Sequence, residues 1–469
     1  MAKKQIEPFH KYHNKSIKDE FDRTRIVCSE EIKEGVKLRI CDESHSLFTV
    51  GNKIIDNSDA EGGQGVVFNT SISKNIVVKI FNAKERTRYT EEKIKFICNY
   101  KFNDAGICWP ISAVETLDGE FVGFIMPRVE GKPLDLLANG RKKNVYKVFP
   151  TYTRKTQIQV IINILQQFKK LHDLNILVGD VKLENILVKP NTEVTLIDMD
   201  SIQIDKYYCG QATPGYDSPD FLEYVYTKTK NKSIHEIRSG IRILYFYYLK
   251  KYRDLKYEYH ALAVVIYRLL MRSFPYNSSD LEEKDFIRLN DEYNDDIDID
   301  LELAYHRMFC YSNKEKEISS KCQEQEIWSH FPSFLKIAFV NCFKKGKYLS
   351  VEEWLDLFNL YLEKIENGQL KKLDSDYNNP FPKGTIDYLV VDIKKFDSVE
   401  QVGFSWAWTI ALACNKTKDK DLLNIIKNPS NITSIINGLK ENVKVQIGDY
   451  KFSIIYNIGI IKKIKIEPK

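Results

Sequence analysis

The chain has 469 residues, of which 43% are apolar, and a formal charge of +5. That is enough for two or three folded domains and too little net charge for a protein built mainly to grip nucleic acid, so no nucleic-acid partner is expected. The longest apolar runs fall far short of a membrane span, and the opening Met-Ala-Lys-Lys-Gln-Ile-Glu does not read as a signal peptide. Nine cysteines without a C-x-x-C pair point to reduced thiols and a cytoplasmic setting.

Residues 1–46 read as a polar N-terminal extension, with short strands at Arg25–Cys28 and Val36–Ile40. From Leu47 the pattern changes to apolar strands split by a glycine cluster, Ala60-Glu61-Gly62-Gly63-Gln64-Gly65-Val66-Val67-Phe68. Glycines let backbone N–H groups close over phosphates, and Val67 can pack on a base. Taken alone, such a cluster is more often a hairpin turn than a nucleotide clamp. It is followed by Ile76-Val77-Val78-Lys79-Ile80-Phe81, a strand carrying a lysine among β-branched residues. The charged run Lys84–Tyr100 predicts a helix with Ile94, Ile97 and Cys98 as its buried stripe. A carboxylate on that helix could hold Lys79 against phosphates; Glu91 is the first choice, Glu92 the second.

Phe121–Met126 is an apolar strand that stops at Pro127 and opens into a polar turn. Lys155–His172 repeats apolar residues at intervals of three and four, which predicts a helix with one buried face. His172, at its end, reads as a packed or capping histidine. Then come Ile186–Val188 and Val194–Ile197 around a Pro-Asn turn, a predicted hairpin. Asp180, Lys182 and Asn185 precede its first strand, and Asp198 follows its second. One acid to orient a hydroxyl, a lysine to offset phosphoryl charge, and an amide plus a second acid to hold Mg²⁺ suit phosphoryl transfer. Without context the same residues also fit an ordinary hairpin with solvated charges.

These motifs together resemble a protein kinase, by the glycine loop, the strand lysine, Asp180-x-Lys182-x-x-Asn185 and the later Asp198. The pair "CWP…GFIMPRVEG", the glycine before Asp180 and Asp198-Met199-Asp200-Ser201-Ile202-Gln203 are similar to the helix-hairpin-helix, YegI-like group of eukaryotic-like bacterial kinases. The resemblance covers about residues 47–363 and implies an α+β, bilobal kinase-like fold, with a β-rich N-lobe (47–127) and a mainly helical C-lobe (128–363). It implies ATP and Mg²⁺ as cofactors. Gly62, Gly63, Gly65, Val67 and Lys79 would contact the nucleotide, with Met126 as gatekeeper and the backbone of Arg128 and Val129 at adenine. Asn185 and Asp198 would hold metal. Asp180, Lys182, Lys79 and Glu91 would be the catalytic set, and Lys182 favours a Ser/Thr protein substrate. Gly179 replaces the arginine that reads activation-loop phosphate, so activity should not depend on loop phosphorylation. A pseudokinase scaffold and a small-molecule phosphotransferase are the alternatives. Secretion of such a kinase as an effector into a host cytosol also fits.

Three departures stand out. Ala60 stands where the resemblance expects a glycine. Glu258 replaces an aspartate, which should alter the grip of its helix on the catalytic loop. Tyr348 and Asp220 replace both halves of a structural ion pair, so that region must be held differently. Between them lie a basic, aromatic insert at about 221–257, a candidate partner or activator surface, and an acidic stretch, Leu281–Leu303, expected as a loop. Residues 364–382 read as a charged linker. Residues 383–469 read as a small α+β domain, with strands at Ile386–Val391, Val443–Ile447, Phe452–Tyr456 and Ile458–Ile466 and helices at Trp406–Cys414 and Leu422–Leu439. That domain is a second candidate partner surface.

Overall fold

The computed structural model describes residues 26–54, 64–100, 102–209, 211, 213, 215–228, 253–277, 299–311, 327–328, 330–372, 374–381, 389–394, 406–407, 410–411, 414, 420–441, 443–448, 450–458 and 461–468. In chain order its elements begin with β1 (Lys37–Ile40), β2 (Leu47–Lys53), β3 (Gly65–Thr70), β4 (Ile76–Phe81), α1 (Arg88–Tyr100), β5 (Ser112–Glu115), β6 (Phe121–Pro127) and β7 (Lys132–Pro133). There follow α2 (Asp135–Asn139), α3 (Lys142–Val148), α4 (Arg154–His172), β8 (Ile186–Val188), β9 (Val194–Leu196), α5 (Pro219–Lys228), α6 (Leu255–Met271) and α7 (Ile299–Tyr305). The rest are α8 (Ser333–Phe343), α9 (Val351–Glu366), β10 (Leu389–Lys394), α10 (Lys420–Lys427), α11 (Pro429–Lys440), β11 (Val445–Ile447), β12 (Tyr450–Ile458) and β13 (Ile461–Pro468). Two compact units interleave along the sequence. The first is Met1–Leu134, Val160–Thr213 and Phe246–Glu258; the second is Asp135–Gln159, Pro214–Tyr245 and Tyr259–Lys469.

In the first unit β1-β2-β3-β4-β6-β5 close into an antiparallel barrel, with β1 pairing to both β2 and β5. Alternate residues of each strand fill a small barrel, and Leu38, Phe48, Val50, Val78, Ile80, Val114 and Val122 do so here. Cys28 and Ile32 join that core. The barrel therefore begins well before residue 47, inside the stretch expected as an extension. Two glycines permit its tightest approaches: a Cβ on Gly65 would meet the Ile80 carbonyl at 2.4 Å, and one on Gly123 the Lys79 carbonyl at 2.0 Å. Helix α1 begins at Arg88, later than predicted, because Thr87 Oγ1 accepts from the Thr90 amide and starts the turn there. Ile94 and Ile97 are fully buried, as their spacing requires. In α4, Ile161, Leu165, Phe168 and Leu171 are fully buried, one face of the predicted helix. The β8–β9 hairpin forms as expected, in the register Ile186↔Leu196, and β7 pairs with β8.

The second unit is helical around an aromatic core in which Tyr267, Phe309, Phe339, Phe343 and Trp354 meet edge to face or tilted, apart from the stacked pair Phe339–Phe343. Helix α9 starts at a capping box, with Ser350 Oγ accepting from the Glu353 amide and Glu353 from the Ser350 amide. Two expectations change. The end of the acidic stretch, from Ile299, belongs to helix α7 rather than a loop, and residues 281–298 lie outside the described residues. The expected linker is packed: Asn378 accepts from the amides of Arg154 and Lys155, and Phe381 lies against Tyr146 and Tyr152. Of the basic insert, residues 229–252 lie outside the described residues.

The C-terminal portion of this unit is a four-stranded antiparallel sheet, β10-β13-β12-β11, against α10 and α11. The helix predicted at Leu422–Leu439 is two helices. Pro429 supplies no N–H to a continuing helix, and Asn428 Oδ1 caps a new one by accepting from Ser430 and Asn431. This portion is anchored within its unit, since Arg141 donates to the Tyr450 hydroxyl and its guanidinium lies 4.3 Å from that ring.

Candidate active site

The candidate site lies wholly within the first unit. The β8–β9 hairpin is its frame: the Ile197 amide donates to the Asn185 carbonyl, which brings Asn185 beside the residue before Asp198. Asp180 is buried, and its two oxygens have different partners. Thr213 Oγ1 donates to Oδ1 at 2.7 Å and Lys182 Nζ to Oδ2 at 2.6 Å. Asn185 Nδ2 donates to the Asp180 carbonyl at 2.9 Å. That commits the nitrogen of the amide inward and leaves Oδ1 as its oxygen donor. Burial opposes the charge on Lys182, but Asp180 outweighs it and raises the lysine's pKa.

The loop that leads into Asp180 is held by Glu258, from α6. Its Oε1 accepts from the Val178 amide and its Oε2 from the Gly179 amide, both at 2.9 Å. His172 Nε2 lies 2.7 Å from Oε1. Glu258, where an altered hold was expected, thus spans both amides, and His172 orients it. Gly179 has φ +81°, and a Cβ there would meet Cys209 at 2.7 Å. No side chain fits, so the position expected to lack an arginine is sterically reserved for glycine.

Asp198 also has a left-handed backbone, φ 64°, which aspartate tolerates better than most residues. The turn after it is closed by Ser201, whose amide and hydroxyl both donate to the Asp198 carbonyl. Leu177 and Gln203 exchange backbone hydrogen bonds, joining this segment to the catalytic loop, and Gln203 Nε2 donates to the Arg253 carbonyl. Lys79 Nζ donates to Asp198 Oδ1 and, at 2.8 Å, to both oxygens of Asp200. Burial disfavours the lysine's charge, but the two carboxylates raise its pKa. Burial also works against Asp198, yet Lys79 and Lys182 hold its pKa below the ordinary value; burial and the neighbouring Asp198 push that of Asp200 up.

Glu91 is not the partner of Lys79. It pairs with Lys95 at 2.6 Å, and Glu92 pairs with Arg88 at 3.4 Å, both one turn away along α1. The residue α1 buries between them and its core face is Lys93, whose Nζ donates to the Tyr208 carbonyl at 3.1 Å. Burial lowers the Lys93 pKa to about 8. Tyr89 adds to this contact, its hydroxyl accepting from the Tyr208 amide at 2.8 Å. From the other side Arg253 donates to the carbonyls of Cys209 and Gln211, at 3.3 and 2.6 Å. Lys93, Tyr89 and Arg253 were not anticipated. The only trace of the first two is that Tyr89, Lys93 and Ile97 share one helix face, a polar break in an otherwise apolar stripe.

Of the expected nucleotide contacts, Gly62 and Gly63 lie outside the described residues. Val67 is registered opposite Lys79, and Gly65 opposite Phe81, across β3–β4. Met126 is in β6, registered to Val77. The Arg128 amide donates to the Asn75 carbonyl at 2.7 Å, so it is already committed to the sheet and not available to a base. Val129 makes no such backbone bond among the described residues. No group of three or more His, Cys, Asp or Glu side chains gathers as a metal cage among the described residues.

In the second unit Asp220 and Tyr348, expected to be held differently, share a third residue. Arg307 donates to Asp220 at 2.5 Å and to the Tyr348 hydroxyl at 3.0 Å. Burial outweighs Arg307 and raises the pKa of Tyr348, keeping it a neutral hydroxyl.

The chain's known relatives point to a distant, kinase-like relationship. It is 25% identical over 178 residues to the protein kinase YegI of Escherichia coli strain K12, covering 36% of this chain and 25% of that protein. It is 26% identical over 155 residues to the protein kinase YegI of Escherichia coli O157:H7, covering 31% and 23%. The chain thus spans about a quarter of the length of the curated relatives it matches. No family model matches it. No described helix is long and apolar enough to cross a membrane.

Proposed function

We propose that the chain is an ATP- and Mg²⁺-dependent protein kinase of bilobal kinase fold that phosphorylates Ser or Thr. The observation that carries this is that three separate stretches of sequence supply two hydrogen-bonded groups, Asp180 with Lys182 and Asn185, and Lys79 with Asp198, which the Ile197 amide ties together through the Asn185 carbonyl. The named kinases among its relatives agree with it. Asp180 accepts the proton of the substrate hydroxyl as the new O–P bond forms and the γ-phosphoryl bond to ADP breaks. Lys182, on the same carboxylate, offsets charge on the moving group, and Lys79 does so on the remaining phosphates. Asn185 Oδ1 and the Asp198 carboxylate are hard oxygen donors that fit Mg²⁺, which supplies further charge neutralisation when bound. Val129, whose amide makes no backbone bond among the described residues, is better suited than Arg128 to meet adenine.

The segment after Gln203 is gripped by its backbone carbonyls through Lys93 and Arg253, an arrangement that calls for no phosphate. Activity is therefore expected without loop phosphorylation. Transfer of ³²P from ATP·Mg²⁺ to a generic protein substrate tests the assignment, with aminoglycosides and choline run beside it. Asp180→Asn and Asp198→Asn should each lower transfer on the order of a thousandfold while leaving the circular dichroism unchanged. Wild-type nucleotide binding without transfer would instead support a pseudokinase.

A further inference from the structure

The cluster around Lys79 contains one carboxylate more than phosphoryl transfer requires. Asp198 has a role as a metal-binding acid; Asp200 has none so far. Yet Asp200 is almost completely buried and offers both oxygens to Lys79 Nζ at 2.8 Å, a two-pronged contact with a single ammonium. Both carboxylates of α1 that could have served are committed to neighbours on the helix surface. At the buried position of α1 stands Lys93, a cation that could not pair with Lys79 at all. The acid that orients the lysine has moved from the helix to the turn after Asp198.

We propose that Asp200 is the positioning residue for Lys79, and that it makes the lysine's placement independent of helix α1. This rests on the kinase reading above. Ser201 pins the turn through the Asp198 carbonyl, and Gln203 ties it to Leu177, so Asp200 sits on a segment fixed to the catalytic loop. Lys79 is thereby aligned by the same short stretch that carries Asp198. A shift of α1 would not misplace it.

A double-mutant cycle tests this. Asp200→Asn keeps the shape and removes the charge; it should raise the KM for ATP and lower kcat/KM on the order of a hundredfold, as a misplaced lysine would. In the Lys79→Met background the same change should cost nothing further, because its effect runs through the lysine. Asp200→Glu should recover part of the loss, whereas Glu91→Gln and Glu92→Gln should stay within about twofold of wild type. Additive losses in the double variant would overturn the proposal. So would a loss from Glu91→Gln as large as that from Asp200→Asn, or an Asp200→Asn defect cured by raising Mg²⁺, which would make Asp200 a metal ligand.

The pairing is read separately in the nucleotide-free protein by thermal unfolding. Asp200→Asn should lower the Tm of the wild type, but not that of Lys79→Met, where it relieves two facing carboxylates. An equal drop in both backgrounds would refute the pairing. If the wild type transfers no phosphate, the kinase reading fails while this unfolding cycle still decides the pairing.

Discussion

The hairpin that carries Asp180 to Asp198 and the barrel that carries Lys79 solve the same problem by different means. On the hairpin the partners are near in sequence: Lys182 reaches Asp180 across two residues, and Asn185 reaches it across five. Backbone geometry alone brings such groups together, so their spacing is informative. Lys79 meets acids 119 and 121 residues away, and which acids those are depends on how a helix, a turn and a strand stack. A local motif names its members; a long-range ion pair does not.

The largest effect that would break this comparison is at Glu258. Glu258→Ala strands two buried amides and His172, and should destabilise the first unit by about 3 kcal/mol in urea unfolding. Loss below about 1 kcal/mol would mean that the catalytic loop is held locally after all. Next is Arg307→Ala, which leaves Asp220 and Tyr348 facing each other without their cation. It should cost about 2 kcal/mol in the same measurement, and Arg307→Lys should recover only part, since a point charge cannot fork to both groups.

Lys93 gives a pH-dependent test. Its folded pKa is lowered from 10.5 to about 8, so below pH 8 both states hold the proton and the folded state bears the full burial penalty. Between about 8 and 10.5 the unfolded chain holds a proton the folded chain has released, so this site's contribution to stability rises with pH. Asp198, Asp200 and Cys209 favour its charge and Arg253 opposes it. The stability of the wild type relative to Lys93→Met should therefore improve as pH is raised through that window. A constant difference would show that Lys93 does not titrate there. The smallest effect is expected for Lys95→Ala, which removes only the half-exposed pair with Glu91; it should change stability by about 0.5 kcal/mol or less.

The strands around Lys79, the helix ending at His172 and the β8–β9 hairpin were all readable from periodicity and turn residues. So were Asp180, Lys182, Asn185 and Asp198 as a set, because the hairpin places them by short-range geometry. That the carboxylates of α1 pair elsewhere than with Lys79 was not readable. Surface glutamates are common on helices, and Glu91 and Glu92 each find a cation one turn away. Arg307 was invisible as the partner of Asp220, being 87 residues distant in a stretch with no motif. The grip of Glu258 could not be judged from side-chain length, since whether one methylene more disrupts a contact depends on the distance to the amides it must reach.

The alternation that closes the barrel, the helix faces and the chemistry collected on one hairpin are legible along the chain, because interactions over a few residues set them. Tertiary structure alone decided the pairing of buried charges. A buried ammonium must take whichever carboxylates packing delivers to it, and here those are Asp198 and Asp200.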